Sequence, residues 1–304
     1  MRNTTGERDT RGTTGVAGMT VVVTGASGRS GSRVARAARA AGMTVRPASR
    51  TTGFDWADRS TWAGTLRGAD AAYLVHPGDV GSPAAAEGVG LLAREAVALG
   101  VRRLVLLSAR GEDQALPAEE ALRGSGAEWT VVRAAWFAQN FSEGPLVEGL
   151  RLGGELAFPG GAVREPFVDL ADVADVVVGV LAGGGRYAGR VLEVSGPRLL
   201  TFGEAVAEIG AAAGRELSYV PVPVREYGER LAGFGVPPRE VELLVDVFAT
   251  LLDGRNERLS DGVERVLGRA PRDFAAFAAE AAAAGVWATP AAAGTPRSSS
   301  AAGS

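Results

Sequence analysis

Short apolar runs rich in valine, leucine and alanine alternate with stretches of helical period through the first half of the chain. "MTVVVTG", near 19–25, predicts a strand, and the segment from about 29 to 42 predicts a helix. The pattern recurs in "MTVRPAS", "AAYLV" (71–75), "RRLVLLSA" (102–109) and "WTVVRA" (129–134), with helical segments near 58–66, 84–99 and 116–124. Strands that alternate with helices at this spacing call for an α/β fold, a Rossmann-type doubly wound parallel sheet covered on both faces. Such a sheet binds ligands at the carboxyl ends of its strands. Gly25, Ser49, His76, Ser108 and Arg133 then fall near one edge.

Past residue 134 the pattern loosens. "EPFVDLADVADVVVGVL" (165–181) predicts a strand feeding a helix that Asp169 or Asp172 caps or starts. "RVLEVSG" (190–196) and "LSYVPVP" read as strands, with helices from near Thr201 and near 225–233, 238–252 and 271–284. The division that follows is a leader at 1–18, a Rossmann domain at 19–155 and a smaller C-terminal α/β substrate lobe at 156–288. The strand–helix segment near 165–181 returns to the Rossmann domain. Residues 289–304 read as a disordered tail, like the polar leader.

Composition narrows the chemistry. There is no cysteine and His76 is the only histidine, which rules out disulfides and thiolate catalysis and disfavours zinc sites built on His and Cys; a carboxylate-only magnesium site stays open, and no metal residues are assigned. All 32 basic residues are arginine, so no mechanism that needs a lysine is open to this chain. The net charge of −3 shows no positive excess of the kind that draws nucleic acid. The N-terminus lacks an apolar core of signal-peptide length, and the alanine run near 275–285, interrupted by Glu280, falls short of the roughly 20 apolar residues of a membrane span. The expectation is a soluble cytoplasmic monomer or homodimer whose partner is a small molecule.

The first strand runs into Gly25, Gly28 and Gly31, spaced G-x-x-G-x-x-G, at the start of a helix. Gly25 suits the tight turn, Gly28 lets the backbone approach a pyrophosphate, and Gly31 allows close helix packing, while the helix N-terminus offers N–H groups to phosphates. Ser27, Arg29 and Ser30 complete the loop. A fold of this kind that selects NAD carries an acid about 20 residues past the first glycine. Here no Asp or Glu lies between Gly25 and Asp55, and the second strand ends in Ser49 and Arg50. Guanidiniums pair with a 2′-phosphate, so the expected cofactor is NADP(H), with Arg29 and Arg50 as its arginines unless Arg50 is simply solvated. Asp55 and Trp56 fall where adenine is contacted, although Asp55 also suits a cap for the segment starting near Arg59. Val75, His76 and Ser108, at the ends of the third and fourth strands, complete the cofactor set.

The Ser, Tyr and Lys of typical short-chain reductases, with lysine four residues after tyrosine, cannot exist here. Tyr73, Tyr187, Tyr219 and Tyr227 are followed at that position by Pro77, Val191, Pro223 and Leu231. Hydride transfer needs chiefly positioning, and a quinone, enone or iminium carries its own electron sink. The catalytic candidates are His76, as proton donor or as a loop residue, and Ser108, which equally suits cofactor or turn contacts. Trp136, Phe137 and Asn140 are the substrate candidates, with aromatic core packing the other reading for Trp136 and Phe137.

Taken in order, "TGASGRSG", "RPASR", "FDWADRSTW", "LVLLSARG", "WTVVRAAWFAQNFSEG" and "PFVDLADVADV" resemble an NmrA-like atypical short-chain dehydrogenase/reductase over about residues 19–287. Ala134 and Ala138 stand where that family's segment carries proline and methionine. The stretch from "LLDGRNERLSDG" to "AAAAGVW" resembles actinobacterial members related to ergot-alkaloid-type reductases. The resemblance implies an NADPH-dependent reductase acting on a small activated acceptor such as a quinone, enone or imine. The alternatives are a catalytically silent NADP(H)-sensing regulator, as the family's namesake is thought to be, and a redox-neutral isomerase-type enzyme.

Overall fold

Five strands foreseen from the hydrophobic pattern lie side by side in a computed structural model, which describes residues 16–144 and 146–289. They are β1 (Thr20–Thr24), β2 (Thr44–Ala48), β3 (Ala71–Leu74), β4 (Arg103–Ala109) and β5 (Glu128–Ala134). With α1 (Arg29–Ala40), α2 (Trp62–Leu66), α3 (Pro83–Ala98) and α4 (Leu116–Arg123) between them, they alternate as the sequence requires. Val21, Val22 and Val23 of β1 are all fully buried, as expected where helices cover both faces of a sheet.

The following segments are the short turns α5 (Asn140–Glu143) and α6 (Leu146–Glu148), β6 (Glu155–Phe158), the two-residue β7 (Arg164–Glu165), α7 (Leu170–Ala182) and β8 (Arg190–Val194). Then come β9 (Leu200–Thr201), α8 (Phe202–Ala213), β10 (Ser218–Pro221), α9 (Val224–Gly233), α10 (Pro238–Leu251), α11 (Gly262–Leu267) and α12 (Phe274–Ala283). The main sheet is parallel throughout, in the order β2-β1-β3-β4-β5-β8. Its order reverses between β1 and β3, and that switch point opens the ligand crevice at the strands' carboxyl ends.

One apolar layer joins α1 and α7 to the sheet through Val34, Val173 and Val177; the other joins α2, α3 and α4 through Trp62, Leu92 and Leu122. A third cluster, with Phe141, Phe158, Phe202 and Phe274, forms the core of the lobe. The chain crosses between domain and lobe more often than the hydrophobic pattern indicates. Besides α7, both β8 and α11 return to the Rossmann sheet, and α11 sits so close to β8 that a Cβ on Gly262 would lie 2.1 Å from the Glu193 carbonyl oxygen. At the start of the chain Val16 is buried in the first apolar layer, so the core begins inside the stretch read as a leader. Residues 1–15 and 290–304 lie outside the described residues. Among the described residues no helix is long and apolar enough to cross a membrane.

Asp169 caps α7 by accepting from the Ala171 N–H at 2.7 Å, as the sequence indicates. Asp172 has a different task. Fully buried, its carboxylate takes the Arg269 guanidinium at 2.7 Å, the Arg272 guanidinium and the Arg272 N–H at 2.6 Å, and so pins the chain before α12 onto α7. Asp172→Ala is expected to cost about 2–3 kcal/mol, the worth of charge-assisted hydrogen bonds whose cationic ends are partly solvated. Arg265→Ala, which breaks an exposed ion pair with Asp261, is expected to cost under about 1 kcal/mol. Denaturant unfolding of the two variants measures the difference.

Candidate functional site

The cradle is built from backbone. Gly25 has φ +60°, and a Cβ there would sit 2.6 Å from the Val75 Cγ1, so glycine is required on two counts. Gly31 is tighter: a Cβ would lie 2.2 Å from the Gly25 carbonyl oxygen and 2.9 Å from that of Thr24. Beneath them Thr24 Oγ1 accepts from the Val75 N–H at 2.8 Å, joining the ends of β1 and β3. No side chain caps α1 at Gly28, and no acid stands in its first turn. The first-turn N–H groups and the positive end of the helix dipole are thus free for an anion, which is the requirement of a dinucleotide pyrophosphate. Ser27 and Ser30 lie in the same turn.

At the end of β2, Ser49 and Thr52 form a capping box around a single turn, and Arg50 projects exposed with no hydrogen bond or ion pair among the described residues. Arg29 is placed otherwise. Its Nη1 donates to the Asn140 Oδ1 at 2.7 Å, bridging from the glycine loop to α5. Of the two arginines expected at a 2′-phosphate, Arg50 is therefore the uncommitted one.

Asp55 holds its own loop, accepting from the Ala57 N–H at 2.9 Å, while its carbonyl accepts from the Trp62 indole at 2.7 Å. The cap for the turn at Arg59 is Asp58, not Asp55. Trp56 stands edge-on to His76 at 5.2 Å, with its indole Nε1 buried and unpartnered. His76 Nδ1 accepts from the Gly78 N–H, and burial holds the imidazole below its ordinary pKa, so the ring is neutral at pH 7.

A cavity of about 350 Å³ opens beside the cradle, and Arg29 borders it. Trp136, Phe137 and Asn140 all line it, with Phe158, Tyr227, Val247, Phe248 and Leu251 closing it from the lobe. Trp136 also packs against the rings of Phe158, Phe202 and Phe248 at 5.5–5.7 Å, so it belongs to the lobe's aromatic core as well as to the cavity wall. His76 is not among the lining residues. Ser108 is, but its buried hydroxyl donates to the Glu119 Oε1 at 2.8 Å. That carboxylate is also clamped by Arg133 at 2.7 and 2.6 Å, so Ser108 serves a structural hub as well as the cavity wall.

Of the tyrosines, Tyr73 and Tyr187 are buried in the core, Tyr219 donates to the Phe158 carbonyl, and only Tyr227 reaches the cavity. Burial raises the Tyr227 pKa and makes it a still weaker acid.

The polar wall of the cavity comes from residues that carried no motif. Arg110 and Glu112 follow β4, Asp79 follows β3, Glu165 ends β7, and Asn256 comes from the loop after α10. Burial, then a hydrogen bond and repulsion from Asp79, push the Glu112 carboxyl up to about 8; burial pushes Glu165 up to about 7. The stretch 112–120, "EDQALPAEE", contains neither Tyr nor Lys and matches no catalytic pattern. An acid beside "LVLLSARG", at a strand's carboxyl end, was the available signal.

The geometry of the cradle orders two substitutions. Gly31→Ala forces α1 off β1 and is expected to weaken NADPH binding more than tenfold. Gly28→Ala, whose Cβ would sit 3.3 Å from the Gly25 carbonyl oxygen, is expected to have a smaller effect. Titration of nicotinamide fluorescence tests that order, and equal losses contradict it.

No family model matches the chain. An uncharacterized oxidoreductase, YesF of Bacillus subtilis, is 30% identical over 250 residues, 78% of this chain and 86% of that protein. A (4-alkanoyl-5-oxo-2,5-dihydrofuran-3-yl)methyl phosphate reductase of Streptomyces griseus is 31% identical over 74% of this chain and 80% of its own. The festuclavine dehydrogenase of Aspergillus fumigatus is 27% identical over 75% and 83%. The ergot-alkaloid relatives are fungal enzymes. Among solved structures, the Escherichia coli quinone oxidoreductase QOR2 complexed with NADPH covers 86% of this chain and 99% of its own at TM-score 0.70 and 22% identity. NmrA, a negative transcriptional regulator in complex with NAD, covers 86% and 95% at TM-score 0.68 and 16% identity. With a glycine cradle at the switch point, a cavity at the same sheet edge and relatives alike over most of their length, the chain belongs to the NmrA-like atypical short-chain dehydrogenases/reductases.

Proposed function

We propose that the protein is an NADPH-dependent reductase that passes hydride to a small, flat, activated acceptor such as a quinone, enone or iminium. The observation that carries this reading is the sharing of Arg29 by cradle and cavity, which puts an aromatic-walled space of about 350 Å³ directly beside the uncapped N-terminus of α1. The relatives' names support reduction as the activity: a quinone oxidoreductase, an azoreductase and a furanone phosphate reductase. Bound in the cradle, the dinucleotide supplies the hydride. Arg50 pairs with its 2′-phosphate, Trp56 and His76 wall its adenine side, and Trp136 and Phe137 hold the acceptor flat.

Protons come from the cavity's own wall. His76 lies apart, Ser108 is bound to Glu119, and Glu112 is an acid lining the cavity whose proton is retained at neutral pH. Asp79, half-buried in the same cavity wall, stands between Glu112 and solvent as the relay. Glu112 therefore protonates the oxygen anion formed when hydride reaches an enone or quinone, and Asp79 returns the proton from water. An iminium reduced to an amine needs no such proton.

Two variants follow. Arg50→Ala is expected to weaken NADPH by about tenfold or more and leave NADH unchanged, from the loss of a charge-assisted pair; equal losses remove the 2′-phosphate assignment. Glu112→Gln is expected to lower kcat for enones by about 100-fold and leave iminium reduction intact. Because the neutral acid is the active form, the enone rate of the unaltered enzyme should fall as pH rises through about 8, and the variant should lose that dependence. The assay is nicotinamide absorbance with a panel of quinones, enones and cyclic imines. NADPH binding without turnover of any of them favours the sensor, and product without net NADPH loss favours the isomerase.

A further inference from the structure

Arg110 has a surrounding that neither the fold nor the reductase chemistry accounts for. Its side chain has no exposed surface, and all three guanidinium nitrogens are buried without a hydrogen bond. Glu193 approaches Nε at 3.2 Å, but both Glu193 oxygens are already held by Arg258, at 2.7 and 3.1 Å. Glu165, in the same cavity wall, is fully buried with both carboxyl oxygens unpartnered, and it makes no ion pair with Arg110. Buried polar groups in folded proteins are almost always bonded, and each unmet one costs roughly 1–3 kcal/mol. Arg110 and Glu165 thus give the wall of one cavity a buried set of donors and acceptors whose hydrogen bonds are unmet, as a site awaiting a polar group would.

The opposite wall is apolar, made by Trp136, Phe158, Val247, Phe248 and Leu251. We infer that the acceptor is amphipathic: a flat apolar body against the aromatic wall and, at its other end, an oxyanion, carboxylate or phosphate, taken by the open fork of Arg110 with Glu165 beside it. A planar guanidinium offers parallel N–H donors that match two oxygens of either group. Glu165, pushed up to about 7, is neutral in a large share of molecules at neutral pH and then donates to the same oxyanion instead of repelling it. The low dielectric around Arg110 strengthens the pair. The inference deepens the proposed reductase reading by naming its substrate class, and the test separates the two.

The protein loaded with NADP+ is titrated calorimetrically with three unreactive probes of one shape: 2-naphthoate, 2-naphthyl phosphate and methyl 2-naphthoate. Both anions, or one of them, should bind at least tenfold tighter than the ester; the tighter anion identifies the head group. Arg110→Gln should abolish the preference, so that on that variant the anions bind no tighter than the ester does. Equal binding of all three by the unaltered protein, or tighter binding of the ester, overturns the inference without recourse to a variant. Failure to oxidise NADPH with any acceptor would remove the reductase reading and leave these isotherms untouched.

Discussion

The site depends first on the contact between Gly31 and the Gly25 carbonyl. α1 can start directly on the end of β1 only because no Cβ stands between them, and that closeness leaves its first N–H groups uncapped at the switch point of the sheet. A side chain at Gly31 would push the helix outward and turn its dipole from the crevice. The cost of a strained turn at Gly25, φ +60°, is avoided by glycine as well. Arg29 then leaves the loop toward Asn140, so the same turn that makes the cradle also fixes one border of the neighbouring cavity.

The missing Tyr and Lys are not replaced in kind. A phenol made acidic by a neighbouring ammonium works through a depressed pKa; a buried carboxyl works from the other direction, since burial keeps a proton on an acid that water would remove. Glu112 fits the second route, with Asp79 beside it raising its pKa further. Ser108 shows why position alone misleads. It stands at the strand end where the sequence places a catalytic serine, yet its hydroxyl is spent on Glu119, the carboxylate that ties β4, α4 and β5 together.

The parts of the structure that were legible in the sequence are those set by local pattern: the alternating strands, the glycine turn, the absence of an acid after β2, and the cap at Asp169. The polar wall of the cavity was not legible, because it is made by burial. Asp79, Arg110 and Asn256 come from three separate loops and Glu165 from the two-residue β7, and nothing in their local sequence distinguishes a solvated charge from one held under a lobe. The same holds for Asp172, which reads as an N-terminal helix acid and proves to be a buried anchor for residues nearly a hundred positions away. The return of β8 and α11 to the Rossmann sheet was missed for a related reason: a short apolar strand carries no mark of which sheet it joins.

An arginine-only chain can use its cations as struts, because the guanidinium fork holds two acceptors in fixed directions. Arg198 grips Glu208 and Asp273 with two bonds each, at 2.6–2.7 Å, and joins α8 to the cap of α12. Arg133 clamps Glu119, Arg258 clamps Glu193, and Arg272 is shared between Asp172 and Asp175. Among the described residues, Arg110 alone has every guanidinium nitrogen both buried and unbonded. In a molecule where other arginines close on carboxylates with paired hydrogen bonds, Arg110 has only the 3.2 Å approach of a Glu193 that Arg258 already holds, while Glu165 in the same cavity wall makes no ion pair with it. Geometry that keeps a cation and an acid apart at a cavity wall lowers stability, and it is retained at no loss only if a third group completes the pair.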